Sequence, residues 1–290
     1  MAAKQNLMKV LVISLLVISG LAVLVVGPGA PRAEAEEHTG DSLYPVSNYG
    51  WLTYYMHEVW YRYTDAKQAF EDGDMKQAKA NLIVMEIFLE ASKDKLPDKL
   101  ADGRPFNKEE YRQSMDKLDK YSENIRGNLK ENKWADVPEG EKDPVLQSCV
   151  GCHDAYNIPT DFRIDTAFKK LTHYMHEIYE LYRQAGVQFM KGESTGKEKP
   201  YDKAKYCFIV CRPYIEKIPK NIPQKNQDGQ AIDKELFNSA YNKLKQYNED
   251  MIQKLETKYW KKGKPLPPPK IVVDTCYACH AKVVKIENPW

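Results

Sequence analysis

No net charge survives once the first 35 residues are set aside. The 290-residue chain carries 43 Lys and Arg against 41 Asp and Glu. Lys4, Lys9, Arg32 and Glu34 all fall in that first stretch, so 40 of each sign remain. A neutral surface lacks the basic excess that displaces counterions from a phosphate backbone, which argues against nucleic acid as a partner. There is also no convincing alternation of apolar and polar residues, so strands and βαβ units are not expected. Glycine is modest, at 15 residues against 19 tyrosines, a balance that suits helices with aromatic packing. The notable apolar run is Val10 to Val26, broken only by Ser14, Ser19 and Gly20. Lys4 and Lys9 precede it, Gly27-Pro28-Gly29 interrupts any helix, and Ala33-Glu34-Ala35 supplies an A-x-A cleavage site with no stop-transfer charges after it. Residues 1–35 therefore read as a cleaved signal peptide, with an uncleaved anchor as the alternative, because 17 residues lies at the short end of a spanning length. No Cys follows the run, so a lipoprotein anchor is not expected. The expectation is export to the periplasm without stable membrane insertion after cleavage, with 36–46 a disordered lead.

What remains is a tandem repeat. Tyr55-Met56-His57-Glu58-Val59 recurs as Tyr174-Met175-His176-Glu177-Ile178, an offset of 119. Leu52, Tyr63, Ala66 and Phe70 find Leu171, Tyr182, Ala185 and Phe189 at the same offset. After Gly73 and Gly192 the second copy gains seven residues around Ser194–Pro200, and the offset becomes 126. Ile83-Val84 then matches Ile209-Val210, Asp102-Gly103 matches Asp228-Gly229, Tyr121 matches Tyr247, and Trp134 matches Trp260. Within the first copy, Leu52, Met56, Val59, Tyr63, Ala66 and Phe70 recur at three and four, the mark of one buried helical stripe. Further helices are predicted at about 75–95 and 107–133, then a short fourth helix ending before Pro159. The second copy predicts helices at about 162–191, 201–218, 233–261 and 271–286. The expected fold is all-α: two tandem antiparallel four-helix bundles, over 47–159 and 160–290.

Four of the six cysteines lie in two C-x-x-C-H motifs, Cys149-Val150-Gly151-Cys152-His153 and Cys276-Tyr277-Ala278-Cys279-His280. This is the c-type haem attachment pattern. Two thiols three apart on a helical turn reach both vinyl groups on one porphyrin edge, and the following His presents its imidazole to the iron. A thioredoxin-like site needs a βαβ setting that is missing here. A zinc site drawing on both motifs would have to bridge a 127-residue separation between matching repeat positions. Two covalently attached haems are therefore expected, through Cys149, Cys152, Cys276 and Cys279, with His153 and His280 as proximal iron ligands.

In these features each copy resembles the class II cytochromes c, the cytochrome c′ group with its low-spin members. The resemblance rests on a first-helix Met, the second-helix run Asp74-Met75-Lys76-Gln77-Ala78 through Lys95-Leu96-Pro97, and Ser148 to Asp154 around the motif. The fusion of two units departs from the family, as does Ala281 where an acidic residue follows the motif His in the first copy. The resemblance implies a sixth iron position that is either empty, giving a gas-binding haem, or filled by the first-helix Met, here Met56 and Met175. His57 and His176 are the alternative ligands. Adjacent helical residues point about 100° apart, so only one of each pair faces an iron. Met56 and Met175 lie on the buried stripe and are the first reading; bis-histidine ligation and an open site remain alternatives.

Cys207 and Cys211, four apart on one helix face, read first as small buried hydrophobes, with a strained local disulfide or a thiolate ligand as alternatives. His173, aligned with Tyr54, is given no role, and the charged faces Lys108–Lys120 and Asn242–Lys254 read as solvated helix surfaces. The function expected is a periplasmic electron carrier serving redox partner proteins, not an enzyme. A nitric oxide or carbon monoxide sensor or trap is the main alternative, and a haem subunit of a redox enzyme the second, ranked last because no distal acid–base pair is assignable. Members of the family are often dimers, so a homodimer is one state to expect.

Overall fold

The computed structural model describes residues 48–100, 103–135, 143–148, 167–222, 224–225 and 229–262. Both C-x-x-C-H motifs with His153 and His280, the targeting segment, the 36–46 lead and the 271–286 helix lie outside the described residues. Six long helices account for most of the rest: α1 Asn48–Glu71, α2 Met75–Ser92, α3 Lys108–Asn128, α4 Ala167–Thr195, α5 Glu198–Lys217 and α6 Lys234–Glu256. Among the described residues there is no strand, only two isolated bridges. None of the helices among the described residues is long and apolar enough to cross a membrane.

The helices start where the local chemistry says they should. Asp74, Asn107 and Asp233 each accept a hydrogen bond from a first-turn backbone N–H of α2, α3 and α6, satisfying donors that have no partner inside the helix. On α1, Leu52, Tyr55, Val59, Tyr63 and Ala66 form the buried line, while Met56 and Phe70 are half-buried at its edge. Ala80 through Leu89 of α2 are buried without a break. The reason is that α2 packs on α1 and α3 of its own repeat and on α5 of the other, which leaves no solvent face in its centre. The two repeats thus share one hydrophobic core within a single compact unit, Ser42–Trp290.

The duplication is visible in backbone detail. The bridge between Lys99 and Pro105 returns between Lys225 and Ala231, and the bond from Phe106 N to Asp98 O returns from Ile232 N to Gln224 O. Left-handed backbone occurs at Gly103 and Gly229, and again at Asn132 and Lys258. Every one of these pairs keeps the offset of 126.

Several boundaries differ from the sequence reading: α3 and α6 end at Asn128 and Glu256, about five residues short of the predicted ends, and 3-10 turns follow at Leu129–Glu131 and Tyr259–Lys262. The helix predicted to stop near Gly192 continues to Thr195, and it is Gly196, at φ +64°, that ends it, as Gly73 at φ +81° follows α1. The extra residues of the second copy therefore lengthen α4 and the start of α5 instead of forming a loop. Gly192 sits inside that longer helix because Tyr201 crosses it. A Cβ there would lie 2.6 Å from Tyr201 Cζ. The ring cannot retreat, since it stacks on Trp260 at 4.5 Å and meets Phe189 edge-on. Overpacking of about 1–3 kcal/mol exceeds the gain of up to about 1 kcal/mol from replacing a helical glycine. Gly192→Ala is expected to lower the urea midpoint, and an unchanged or higher midpoint would contradict this packing.

Candidate functional site

Met56 faces the third helix. The α1–α2–α3 arrangement brings the N-terminal half of α1 against the end of α2 and the start of α3, and Tyr111 Oη lies 3.0 Å from Met56 Sδ. The same hydroxyl is 2.8 Å from Ser92 Oγ, which donates its own proton to Leu89 O at 2.8 Å. Tyr111 and Ser92 are both buried, so water does not compete for these contacts. Met175 holds the equivalent half-buried position on α4. The residues matching Tyr111 and Ser92 are Phe237 and Ile218, both buried and neither able to donate through its side chain.

The two histidines beside these methionines sit differently. His57 is half-buried on α1. His176 is buried, with its ring edge-on to Tyr54 of the first repeat at 5.0 Å. Burial pulls its imidazolium down to about 4, so the ring is neutral at physiological pH and packs between the repeats.

The chain leading to Cys149 is tied to α1. Tyr63 donates to Asp143, and Asp143 Oδ1 accepts from Val145 N at 2.9 Å at the start of the short helix over 144–148. Burial, then the Asp143 carboxylate, hold the Tyr63 phenol well above its ordinary range, so it remains a donor. Tyr182, which matches Tyr63, instead donates to Asn248 at 3.2 Å.

Between the repeats lies a cluster for which the sequence assigns no chemistry. Arg62 of α1 is 0 % exposed, and its Nη2 stands 3.0 Å from Glu177 of α4 and 3.6 Å from Glu58. Arg62 also donates to Tyr214 of α5, whose ring lies 4.8 Å from the guanidinium carbon and whose hydroxyl reaches Asp65 at 3.0 Å. His173 Nδ1 is 3.6 Å from Glu177, so the residue given no role above borders this cluster. Arg62 Nε and Nη1 and Glu58 Oε2 are buried without a hydrogen-bond partner among the described residues. Burial, and then the charge of Glu177, raise the Glu58 carboxyl well above its ordinary range. Burial, the largest influence, opposes ionisation of Glu177, but Arg62, the Glu58 hydrogen bond, His173 and His176 together outweigh it and leave that carboxyl lowered. The arrangement favours the neutral form of Glu58 and the ionised form of Glu177 beside one buried guanidinium. A signal existed: Glu58 and Glu177 recur inside the longest matching segment. Arg62 gave none, because its counterpart is Leu181.

Cys207 and Cys211 are free and fully buried on α5. Burial pushes both thiols up, which removes the thiolate form at neutral pH and supports their reading as small core residues. Among the described residues no group of three or more His, Cys, Asp or Glu is placed to hold a metal ion. Comparison of the chain with known proteins finds no matching family model, no matching curated protein and no matching solved structure.

Proposed function

We propose that the chain is an exported dihaem c-type cytochrome of the class II kind that carries electrons between periplasmic redox proteins. The observation that carries this reading is the pairing of two C-x-x-C-H motifs at matching places in two copies whose turns and left-handed residues also repeat. In this reading Cys149 and Cys152 anchor one haem and Cys276 and Cys279 the other, with His153 and His280 on the proximal side. When bound, haem iron supplies one-electron exchange, at a potential that its axial ligands and surroundings tune.

Met56 and Met175 suit the distal positions in donor chemistry, because a thioether needs no deprotonation to ligate and raises the potential relative to other ligands. On α4 the half-burial of Met175 supports it over His176, whose buried ring is engaged against Tyr54. The Tyr63–Asp143 contact ties residue 143, six positions before the first motif, to the helix that bears Met56. The buried Arg62–Glu177 pair joins the two copies through α1 and α4.

Absorption spectra of the purified protein in both redox states test the reading. Low-spin bands that carbon monoxide leaves in place are expected, with pyridine haemochrome giving two haems per chain. A large shift on adding carbon monoxide would turn the assignment to gas binding, and a colourless protein matured with a competent haem-attachment system would overturn it.

A further inference from the structure

The first repeat carries a hydroxyl beside its methionine where the second carries a phenyl ring. Tyr111 has one proton, and both Ser92 Oγ at 2.8 Å and Met56 Sδ at 3.0 Å lie within its reach. Ser92 spends its own proton on Leu89 O, so it stands toward Tyr111 as an acceptor and the phenolic proton is shared between oxygen and sulfur. The Phe106 ring packs on Tyr111 at 5.6 Å and helps hold it in this position. In the second repeat Phe237 and Ile218 remove both hydroxyls, and the Met175 sulfur receives no such proton from those two positions.

We propose that Tyr111 is a positioning residue for the Met56 thioether, orienting its sulfur and drawing electron density from it, so that the two haem sites of this chain differ in potential. This rests on the electron-carrier reading, with Met56 as a distal ligand. A thioether that accepts a hydrogen bond donates less to iron, which disfavours the oxidised state and raises the potential of that site; outer hydrogen bonds of this kind are an established lever on metal centres. The balance between the two acceptors makes the effect adjustable in both directions. Tyr111→Phe removes the proton from sulfur. Ser92→Ala removes the competing oxygen and shifts the proton toward sulfur.

Potentiometric titration of the full dihaem protein is the test, with the Cys276→Ser/Cys279→Ser chain identifying the first-repeat wave. In Tyr111→Phe that wave is expected to fall, its oxidised-to-reduced ratio at fixed potential rising roughly fivefold, the scale of one ordinary hydrogen bond, or about 40 mV at 59 mV per tenfold for one electron. In Ser92→Ala it is expected to rise, with the second wave still in both variants. Opposite shifts are what a loss of packing alone would not produce, and Ser92→Ala by itself decides the matter if Tyr111→Phe fails to fold. Two haems whose waves ignore both substitutions, or move together or in the same direction, would overturn the tuning role while leaving the carrier reading intact. A haem-free protein would overturn both.

Discussion

Replacing Arg62 with methionine is expected to destabilise the protein by about 3–5 kcal/mol at neutral pH, the usual penalty for breaking a buried ion pair from one side. Methionine fills much of the same volume, so the loss comes from charge more than from a void. Glu177 is 1 % exposed and Glu58 1 % exposed, and without the guanidinium the Glu177 carboxylate has no counter-charge in the cluster except His173 at 3.6 Å. Burial lowers the His173 imidazolium's hold on its proton, so this histidine is a poor substitute. Arg62 also engages Tyr214 of α5, which extends the disturbance further into the second repeat.

The sign of the pH dependence follows from which way each carboxyl moves. In the parent protein Glu177 sits below its ordinary range, so its contribution is present above the unfolded carboxyl value near 4.3 and is lost as pH falls through its folded value. Removing Arg62 reverses this. Burial then lifts Glu177, as it already lifts Glu58, and a raised carboxyl favours the fold only below about 4.3, losing ground as pH rises. The gap between parent and Arg62→Met is therefore expected to be small at pH 4 and full at pH 7, measured by chemical denaturation at both. Arg62→Met with Glu177→Gln should recover most of the loss, because no buried charge remains at that position. A deficit under about 1 kcal/mol, equal at both pH values, would show that the cluster does not hold an ionised Glu177.

How much of this was readable beforehand depends on what each residue's signal consists of. The helices were legible because their stripes repeat at three and four and their caps are Asp and Asn, and the copies were legible because Tyr-Met-His-Glu and Asp-Gly recur at fixed spacing. The end of α4 was misplaced because Gly192 resembles a stop signal; the packed Tyr201 ring explains that glycine, and Gly196 is the real terminus. The shared core was not legible, since the unbroken burial of Ala80–Leu89 requires knowing that α5 of the other copy covers α2. Arg62 looked like any helical arginine. Only tertiary packing puts it 3.0 Å from a glutamate 115 residues away. Tyr111 lies in the helix predicted at 107–133, but its position over the Met56 sulfur depends on where α3 lies against α1.

Removing either cysteine pair is expected to halve the haem content. Cys149→Ser with Cys152→Ser should leave one haem per chain, Cys276→Ser with Cys279→Ser should leave the other, and all four substitutions together should leave none, counted by pyridine haemochrome and by intact mass. The expectation follows from thiol chemistry: serine keeps the size and polarity at each position but forms no thioether to a vinyl group, so a histidine left alone holds haem only by coordination and loses it on denaturation. Because each motif sits in its own copy of the repeat, loss of one should not remove the other's attachment. The stability response should not be confined in the same way. The copies share a core through α2 and α5 and are joined by Arg62 and Glu177, so each one-haem protein is expected to unfold in a single transition at a lower midpoint than the two-haem protein. Independent halves would give two transitions, one of them unmoved. Loss of both haems from a single pair of substitutions would mean the motifs cooperate in one site, and retention of both on a denaturing gel would remove the thioether bonds from the account altogether.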